Sequence, residues 1–342
     1  MSNIIITSYT NGLSHAHGSR RWEHIVLRCL TVILVISLLP TAAVAQRMGA
    51  TVEEDSGGVV LTDGAVPVLR YNHETIEPPE GYVEQLPDAA RKYARPRSNY
   101  IHPLYGIDGE PLTDDWTADH PHHRGIYWAW PEVQYQGELA DLHALQRVFA
   151  RPTGKLQLHS GDDFAQIEAE NRWLWEDKTP IVLEKAILRA WPATEHGRYI
   201  DLTFEFLALE EGVTLARRGT QHYGGLNIRL APVEGLELRH HAEPPDRAPR
   251  LAWQLATGTW RGAQQPATLV VFERAGNPYY PADYVEYPNL PWFQPTFPKA
   301  GVRYALSQTE PLVLRYRLSI QPGGMRPAEN YARQWQAYQD TQ

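Results

Sequence analysis

The chain has almost no cysteine. Its 342 residues include one, Cys29, and none follows it. Beyond residue 45 the protein can therefore form no disulfide, offer no thiolate ligand to a metal and supply no thiol nucleophile. Its stability must come from a buried core, and residues 46–342 are long enough for one large domain.

An excess of basic charge is also missing. Lys and Arg number 32 against 40 Asp and Glu, and beyond residue 45 the balance is 29 against 39, a net charge near −10. Because nucleic-acid binding needs a basic surface, we expect no nucleic-acid partner. A glycine-rich phosphate loop and a Gly-x-Ser-x-Gly nucleophile motif are absent as well, which excludes the enzyme classes that depend on them.

The N-terminal segment contains an apolar run that is too short to cross a membrane. It extends from Cys29 to Leu39, 11 residues, whereas a spanning helix needs roughly 17–25. Arg20, Arg21 and Arg28 precede it, and Ala43-Val44-Ala45 follows. This order predicts a signal peptide over residues 1–45, cleaved before Gln46, and a periplasmic or secreted protein with no stable membrane span. An uncleaved membrane anchor is the alternative, because the run extended to Ala45 is marginally long enough.

Most of the remaining sequence has the period of β-strands. Residues 199–206 alternate apolar with polar side chains, which is typical of a half-buried strand. Similar segments, at residues 57–61, 66–71, 155–159, 164–169, 181–190, 236–238, 267–273 and 312–320, are separated by Gly, Pro and Asp. The pattern predicts an all-β fold, a large antiparallel β-sandwich of the supersandwich type, as a single domain over residues 46–342.

Helical periodicity is confined to the C-terminus. Pro327 precedes a segment in which Tyr331, Trp335 and Tyr338 recur at helical spacing, so we predict one helix with an aromatic face on the sandwich. Two loop-rich regions, residues 77–119 and 276–299, interrupt the strands. Loops of this length are usually functional or disordered, and the aromatic residues of the second loop argue against disorder.

Histidine is concentrated in residues 100–125, which contain four of the 14 in the chain. If the Asp119-His120-Pro121-His122-His123 segment were a strand, His120 and His122 would face one way and His123 the other. Two histidines and a carboxylate could then hold Zn or Fe with open positions. We favour the interpretation that the segment lines a cleft without a fixed metal; a further alternative is that it connects loops through hydrogen bonds alone.

Two further segments contain residues suited to ligand binding. Trp128 and Trp130 would share one face of a strand, either as a platform for sugar rings or as part of the core. Gly224-Gly225 permits a close backbone approach and is flanked by His222 and Arg229. The position of these residues near the histidine segment suggests that strand ends converge on a cleft.

Several of these motifs resemble a bacterial family of unknown function that carries the label methane oxygenase PmoA family. The matching motifs are Tyr100-x-His102-Pro103-Leu104, Asp119-His120-Pro121-His122-His123-Arg124-Gly125, Tyr223-Gly224-Gly225-Leu226-x-x-Arg229, Gly276-Asn277-Pro278 and residues 314–318. We interpret the label as a misnomer, because the particulate methane monooxygenase subunit is an integral membrane protein. At the level of fold the chain is also similar, more distantly, to sugar-mutarotase-like sandwiches, in which a histidine acid and a carboxylate base act in an open cleft.

Together these features predict an exported carbohydrate-active or carbohydrate-binding protein with a His- and Trp-rich cleft. The alternatives are a non-catalytic binding or structural sandwich, and a metal-dependent oxygenase or hydrolase that uses the histidine cluster. We expect a small-molecule or glycan ligand and no cofactor by default, although a divalent metal could bind. The predicted catalytic residues are His102, His120, His122 and His222. The predicted substrate-binding residues are His123, Arg124, Trp128, Trp130 and Arg229.

Overall fold

The computed structural model describes residues 47–53, 57–247, 250–287 and 289–341. The predicted signal peptide and its cleavage site lie outside these residues. The described residues are mostly β-strand, arranged in three sheets, and the strand pairs with a defined register are all antiparallel. This confirms the predicted fold class.

The first sheet has eight strands and carries the candidate site. It contains the first five strands of the chain and three later ones that return to its far edge. In spatial order the strands are β1 (Met48–Glu53), β2 (Gly58–Asp63), β3 (Val66–Asn72), β4 (Tyr100–Leu104), β5 (Ile126–Ala129), β13 (Gly225–Arg229), β18 (Trp292–Pro295) and β17 (Tyr284–Glu286).

The second sheet, also of eight strands, is built mainly from long strands, which the alternation pattern predicts well. Residues 198–208 alternate buried and half-buried positions without interruption. In spatial order the strands are β14 (Val233–Ala242), β15 (Ala252–Trp260), β16 (Ala267–Glu273), β20 (Leu312–Pro322), β11 (Arg198–Ala208), β10 (Thr179–Ala190), β9 (Ala165–Trp175) and β8 (Val148–His159).

A small third sheet and three helices complete the described chain. The sheet contains, in spatial order, β19 (Arg303–Ala305), β12 (Thr214–Ala216), β6 (Glu132–Tyr135) and β7 (Glu138–Ala140). The helices are α1 (Tyr82–Gln85), α2 (Asp88–Arg91) and α3 (Ala328–Asp340), and a short 3₁₀ turn spans Arg218–Thr220. Among the described residues, no helix is both long and apolar enough to span a bilayer.

The main core fills the space between the two large sheets. Trp128 and Trp130 lie in it, stacked with ring centroids 4.5 Å apart, and Trp128 meets Phe204 and Phe206 of β11 edge to face. A second cluster joins α3 to the outer face of the second sheet, where Trp335 is buried with Trp253 of β15. This confirms the predicted aromatic face of the C-terminal helix.

Candidate functional site

The outer face of the first sheet provides the base of the site. Because side chains alternate along a strand, Trp128 of β5 points into the core while Tyr127 belongs to a separate cluster outside it. Asn227 of β13 pairs with Tyr127, and Arg229 pairs with Trp292 of β18. Buried polar and aromatic side chains therefore line up across three neighbouring strands.

The histidine segment above this face is a tight turn. The amide of His123 donates to the carbonyl of His120 over 2.8 Å, and Pro121 occupies the second turn position, where its fixed φ is favourable. The expectation that His123 would point away from His120 and His122 assumed a strand and is wrong. The turn brings the three rings together, with centroids 4.7–5.9 Å apart.

Arg124 and Gly125 fasten this turn to the sheet. The Arg124 guanidinium is fully buried, forms a salt bridge with Asp115 and donates to the Tyr100 hydroxyl over 2.6 Å. Gly125 has a φ of +59°, and a Cβ there would lie 2.1 Å from the carbonyl oxygen of Ile101. Arg124 therefore holds the turn to the sheet and is not among the residues that line the cavity; its role in substrate binding stays a prediction.

A fourth histidine, His143, reaches the turn from a different loop. Residues 141–146 close a short loop in which the Asp141 carboxylate accepts from the amide of Ala144 over 2.8 Å. The buried guanidinium of Arg97 donates to the carbonyls of Leu142 and His143 over 3.0 and 2.6 Å. These bonds hold His143 against His122 and His123, at centroid distances of 4.6 and 5.2 Å.

His122, His123 and His143 form a triad that could hold a metal ion. Each offers one ring nitrogen such that the three nitrogens lie within 4.8 Å of one another. The Nδ1 atoms of His122 and His123 are buried and have no hydrogen-bond partner among the described residues. Buried polar atoms without partners are unusual and call for an explanation, and a bound ion would provide one.

The triad is uncharged at neutral pH. Burial, together with the nearby charges of His120, Arg97 and Arg218, lowers the pKa of His122 to about 3. Burial likewise holds the pKa values of His123 and His143 well below the ordinary histidine value. Since a metal binds the neutral form of imidazole, no proton has to be displaced before an ion can bind.

Tyr127 sets the orientation of His143. Its hydroxyl lies 2.8 Å from Nδ1 of that ring, which leaves Nε2 for the triad. The Tyr127 ring is itself covered by the Arg97 guanidinium at 4.2 Å. A hydrogen bond to the second ring nitrogen is the usual way in which a protein fixes a histidine ligand.

His120 stands beside the triad with a carboxylate partner. Its Nδ1 is 3.2 Å from Asp119, and Asp119 receives two hydrogen bonds, of 3.0 and 2.9 Å, from Arg229. Although partial burial opposes the effect, His120 and Arg229 lower the pKa of Asp119 to about 2. Arg229 thus keeps Asp119 ionised and in place, and the Asp119 carboxylate orients the half-exposed ring of His120.

The triad opens into a cavity of about 520 Å³, within the range of small-molecule sites. Aromatic rings form much of its wall: Trp292 stacks on Tyr287 at 5.1 Å and lies over His123 at 6.0 Å. The residues that line the cavity are Asp119, His120, His122, His123, His143, Tyr223, Tyr287, Asn289, Leu290 and Trp292.

Comparison with family models decides the affiliation of the chain. Residues 58–336 match the model of a family of unknown function, DUF6807. The chain belongs to this family. The matched range includes the whole triad, the cavity walls and the Asp119–Arg229 pair, so the candidate site lies within the family domain. No curated protein matches the chain significantly.

The remaining predicted residues lie outside the cavity. His102 faces the base of the histidine loop, where its Nδ1 is 3.1 Å from the Thr113 hydroxyl, and the exposed His222 is not among the lining residues. Trp128 and Trp130 are core residues, as the alternative reading of that strand allowed. Arg229 acts through Asp119 and does not line the cavity.

The sequence reasoning missed several members of the site. His143 lies 20 positions after His123 with no motif around it, so only the fold reveals its role. Trp292 and Tyr287 belong to the aromatic second loop, residues 276–299, whose length was a signal of function. Asp119 and Tyr223 stand inside motifs that the sequence analysis singled out, although neither was assigned a role.

Proposed function

We propose that this protein is a metal-dependent hydrolytic enzyme in which His122, His123 and His143 bind one divalent ion. The observation that carries the proposal is the convergence of three uncharged imidazoles, with their ligand nitrogens within 4.8 Å of one another, at an open cavity. A structural metal site is usually closed by four protein ligands, whereas a catalytic site keeps a position free.

The ligand set favours zinc. Three imidazoles without a thiolate suit Zn, Cu, Fe or Ni, and three histidines with an open fourth position are a known arrangement for zinc that activates water. Such an ion lowers the pKa of a bound water to about 7 and so supplies a nucleophile at neutral pH.

His120 would transfer the proton. It lines the cavity next to the three proposed ligands. Asp119 orients its ring, as a carboxylate orients the catalytic base in many enzymes. As water adds to the substrate and the bond to the leaving group breaks, His120 would carry the proton from the water to that group. The carboxylate held by Arg229 would stabilise His120 while it is charged.

The proposal combines two of the functions predicted from the sequence. It takes the metal-dependent hydrolase from the alternatives, and the exposed ring of Tyr287 at the cavity supports the carbohydrate substrate of the leading hypothesis. The distant likeness to sugar-mutarotase-like sandwiches that the sequence predicts would agree with such a substrate. Export through residues 1–45 remains a prediction, and it would give the enzyme access to extracellular glycans.

Metal analysis tests the proposal directly. Wild-type protein incubated with Zn²⁺ and desalted should contain close to one ion per chain, and His122→Ala, His123→Ala and His143→Ala should each lose it. His240→Ala, on an exposed strand residue near Glu286, is the matched control and should keep the metal. A wild-type protein that retains no Zn, Cu, Fe or Ni would contradict the proposal.

Activity provides the second test. Zinc-loaded wild type should hydrolyse 4-nitrophenyl acetate, an activated ester that reports metal-activated water, and a chelator should abolish the reaction. His120→Ala should keep the metal but lose roughly 10²–10⁴-fold in rate, the usual contribution of a proton-transfer group. Full metal occupancy with no hydrolysis above the rate of free Zn²⁺ would show a binding site without catalysis.

A further inference from the structure

The cleft continues on the far side of the triad. A second cavity of about 390 Å³ shares five lining residues with the first, namely Asp119, His120, His122, His143 and Tyr223. The two cavities therefore adjoin at the proposed metal centre. We call the part next to Trp292 the first lobe and the part next to Tyr93 the second lobe.

Each lobe is lined in part by one of the two loop-rich segments of the sequence. Residues 276–299 contribute Tyr287, Asn289 and Trp292 to the first lobe. Residues 77–119 contribute Tyr93, together with Ala89 and Ala90, to the second. The first of these segments contains β17 and β18, the second contains α1, α2 and β4, and both place side chains beside the same histidines.

An aromatic ring stands on each side of the triad. In the first lobe Tyr287, with an exposed fraction of 43%, covers Trp292. In the second lobe the half-buried ring of Tyr93 lies 4.9 Å from that of His122. The electron-rich face of an aromatic ring attracts the weakly positive C–H groups of a sugar ring, so each lobe has one surface suited to one sugar unit.

The charged side chains that line the lobes are matched by partners of opposite sign. Asp119 is bound by Arg229, and Arg218 in the second lobe forms a 2.6 Å salt bridge with Asp141. A ligand with its own negative charges would have to compete with these carboxylates. The hydroxyl groups of a neutral ligand can hydrogen-bond to the side chains of these two salt bridges, to Asn289 and to Tyr223 without breaking either salt bridge.

We infer that the substrate is a neutral oligosaccharide, an inference that rests on the proposed metal centre. One sugar unit lies in each lobe, and the scissile bond between the two units lies at the metal. A monosaccharide fills one lobe alone, whereas a disaccharide contacts both aromatic surfaces. The disaccharide should therefore bind at least 10-fold more tightly than either component sugar.

Binding measurements with zinc-loaded protein test this inference. A glycan array identifies the neutral disaccharide that binds best, and calorimetry then compares it with its two monosaccharides. Tyr93→Ala should abolish the preference for the disaccharide, and Tyr287→Ala should weaken binding about 10-fold, the effect of one aromatic contact. Tyr279→Ala is the matched control, because Tyr279 is as exposed as Tyr287 and lines neither lobe.

Metal content, measured for each sample, separates this inference from the proposed function. Full zinc occupancy with equal affinity for mono- and disaccharides, or with no sugar binding, overturns the two-lobed substrate and leaves the metal centre intact. Preferential binding of acidic glycans or of peptides overturns it as well. A wild type that binds no metal overturns the proposed function, and the inference that rests on it is withdrawn with it.

Discussion

At the scale of single residues, the surface that an aromatic ring contacts decides whether it holds the fold or serves the site, because Trp292 is as buried as Trp130 and yet lines the cavity. Trp130 is completely buried, stacks on Trp128 and donates from its indole nitrogen to the carbonyl of Phe297 over 2.7 Å. Tyr287, in contrast, is partly exposed at the cavity. Aromatic content alone does not distinguish the two roles, since both occur in loops or strands beside histidines.

Trp130→Ala should mainly destabilise the protein. Removing a buried tryptophan side chain lowers the free energy of unfolding by roughly 3–5 kcal/mol, which urea unfolding would measure. The folded fraction should still bind one metal ion, because Trp130 lies beneath the sheet that carries the triad. His122→Ala should show the opposite pattern, with metal lost and stability of the metal-free protein nearly unchanged. Metal loss without destabilisation in Trp130→Ala would contradict our placement of that residue.

Tyr127→Phe tests whether the hydroxyl beside His143 positions a ligand. Loss of a hydrogen bond to a metal-binding histidine usually lowers metal affinity 10–100-fold, and we expect an effect of that size in competition with a chelator. Tyr331→Phe is the matched control: Tyr331 is equally buried, but its hydroxyl accepts from the amide of Arg326 beside the C-terminal helix, away from the triad. Equal metal affinity in wild type and Tyr127→Phe would show that the bond to His143 has no positioning role.

At the scale of elements, the histidine turn depends on the glycine that follows it. Gly125→Ala would require a side chain at a φ of +59° and a Cβ 2.1 Å from a backbone oxygen of β4, so the turn must shift. We expect a lower melting temperature and weaker metal binding. Gly109→Ala is the control, because Gly109 also has a positive φ, of +88°, but no atom within 4 Å of its Cβ position. It should lower stability by only about 1–2 kcal/mol.

Strands with one buried and one half-buried face can be predicted from the sequence, whereas strands buried on both faces are harder to predict. Residues 198–208 alternate regularly because one face of β11 contacts the core and the other does not, and this contrast is visible in the residues themselves. β18 was not predicted. It lies in a proline-rich segment and all four of its residues are buried, so it has neither alternation nor a typical strand composition. Its partners β13 and β17 provide the hydrogen bonds that make it a strand.

At the scale of the whole molecule, the candidate site is assembled from parts distant in sequence. His120, His122 and His123 were recognised because they are adjacent, whereas His143 arrives through the third sheet and a separate loop. The sequence around His143 contains no signal that this residue contacts His122 and His123. The predicted residues that proved to lie elsewhere, such as His102 and His222, were grouped on chemical type, and chemical type does not determine the direction of a side chain.

The core between the sheets also contains an acid that should make the stability of the molecule depend on pH. Glu184 of β10 is buried, and burial raises its pKa to about 7, although Trp173 and Asn99 donate hydrogen bonds to it. Its other oxygen and the side-chain oxygen of Asn171, the residue directly opposite on β9, have no partner among the described residues. A proton on Glu184 would supply the missing donor.

Glu184→Gln should therefore stabilise the protein at neutral and alkaline pH. The folded state favours the protonated acid, so its stabilising effect is complete below the unfolded pKa near 4.5 and is lost as the pH rises through about 7. Wild type should lose on the order of 3 kcal/mol of unfolding free energy across this window, whereas an amide, which resembles the neutral acid, does not titrate. Urea unfolding in the presence of EDTA, so that metal binding does not contribute, should give equal stabilities near pH 4.5. Above pH 7 the variant should be more stable by a constant amount. Parallel pH profiles for the two proteins would mean that Glu184 is ionised in the fold and that another group donates to Asn171.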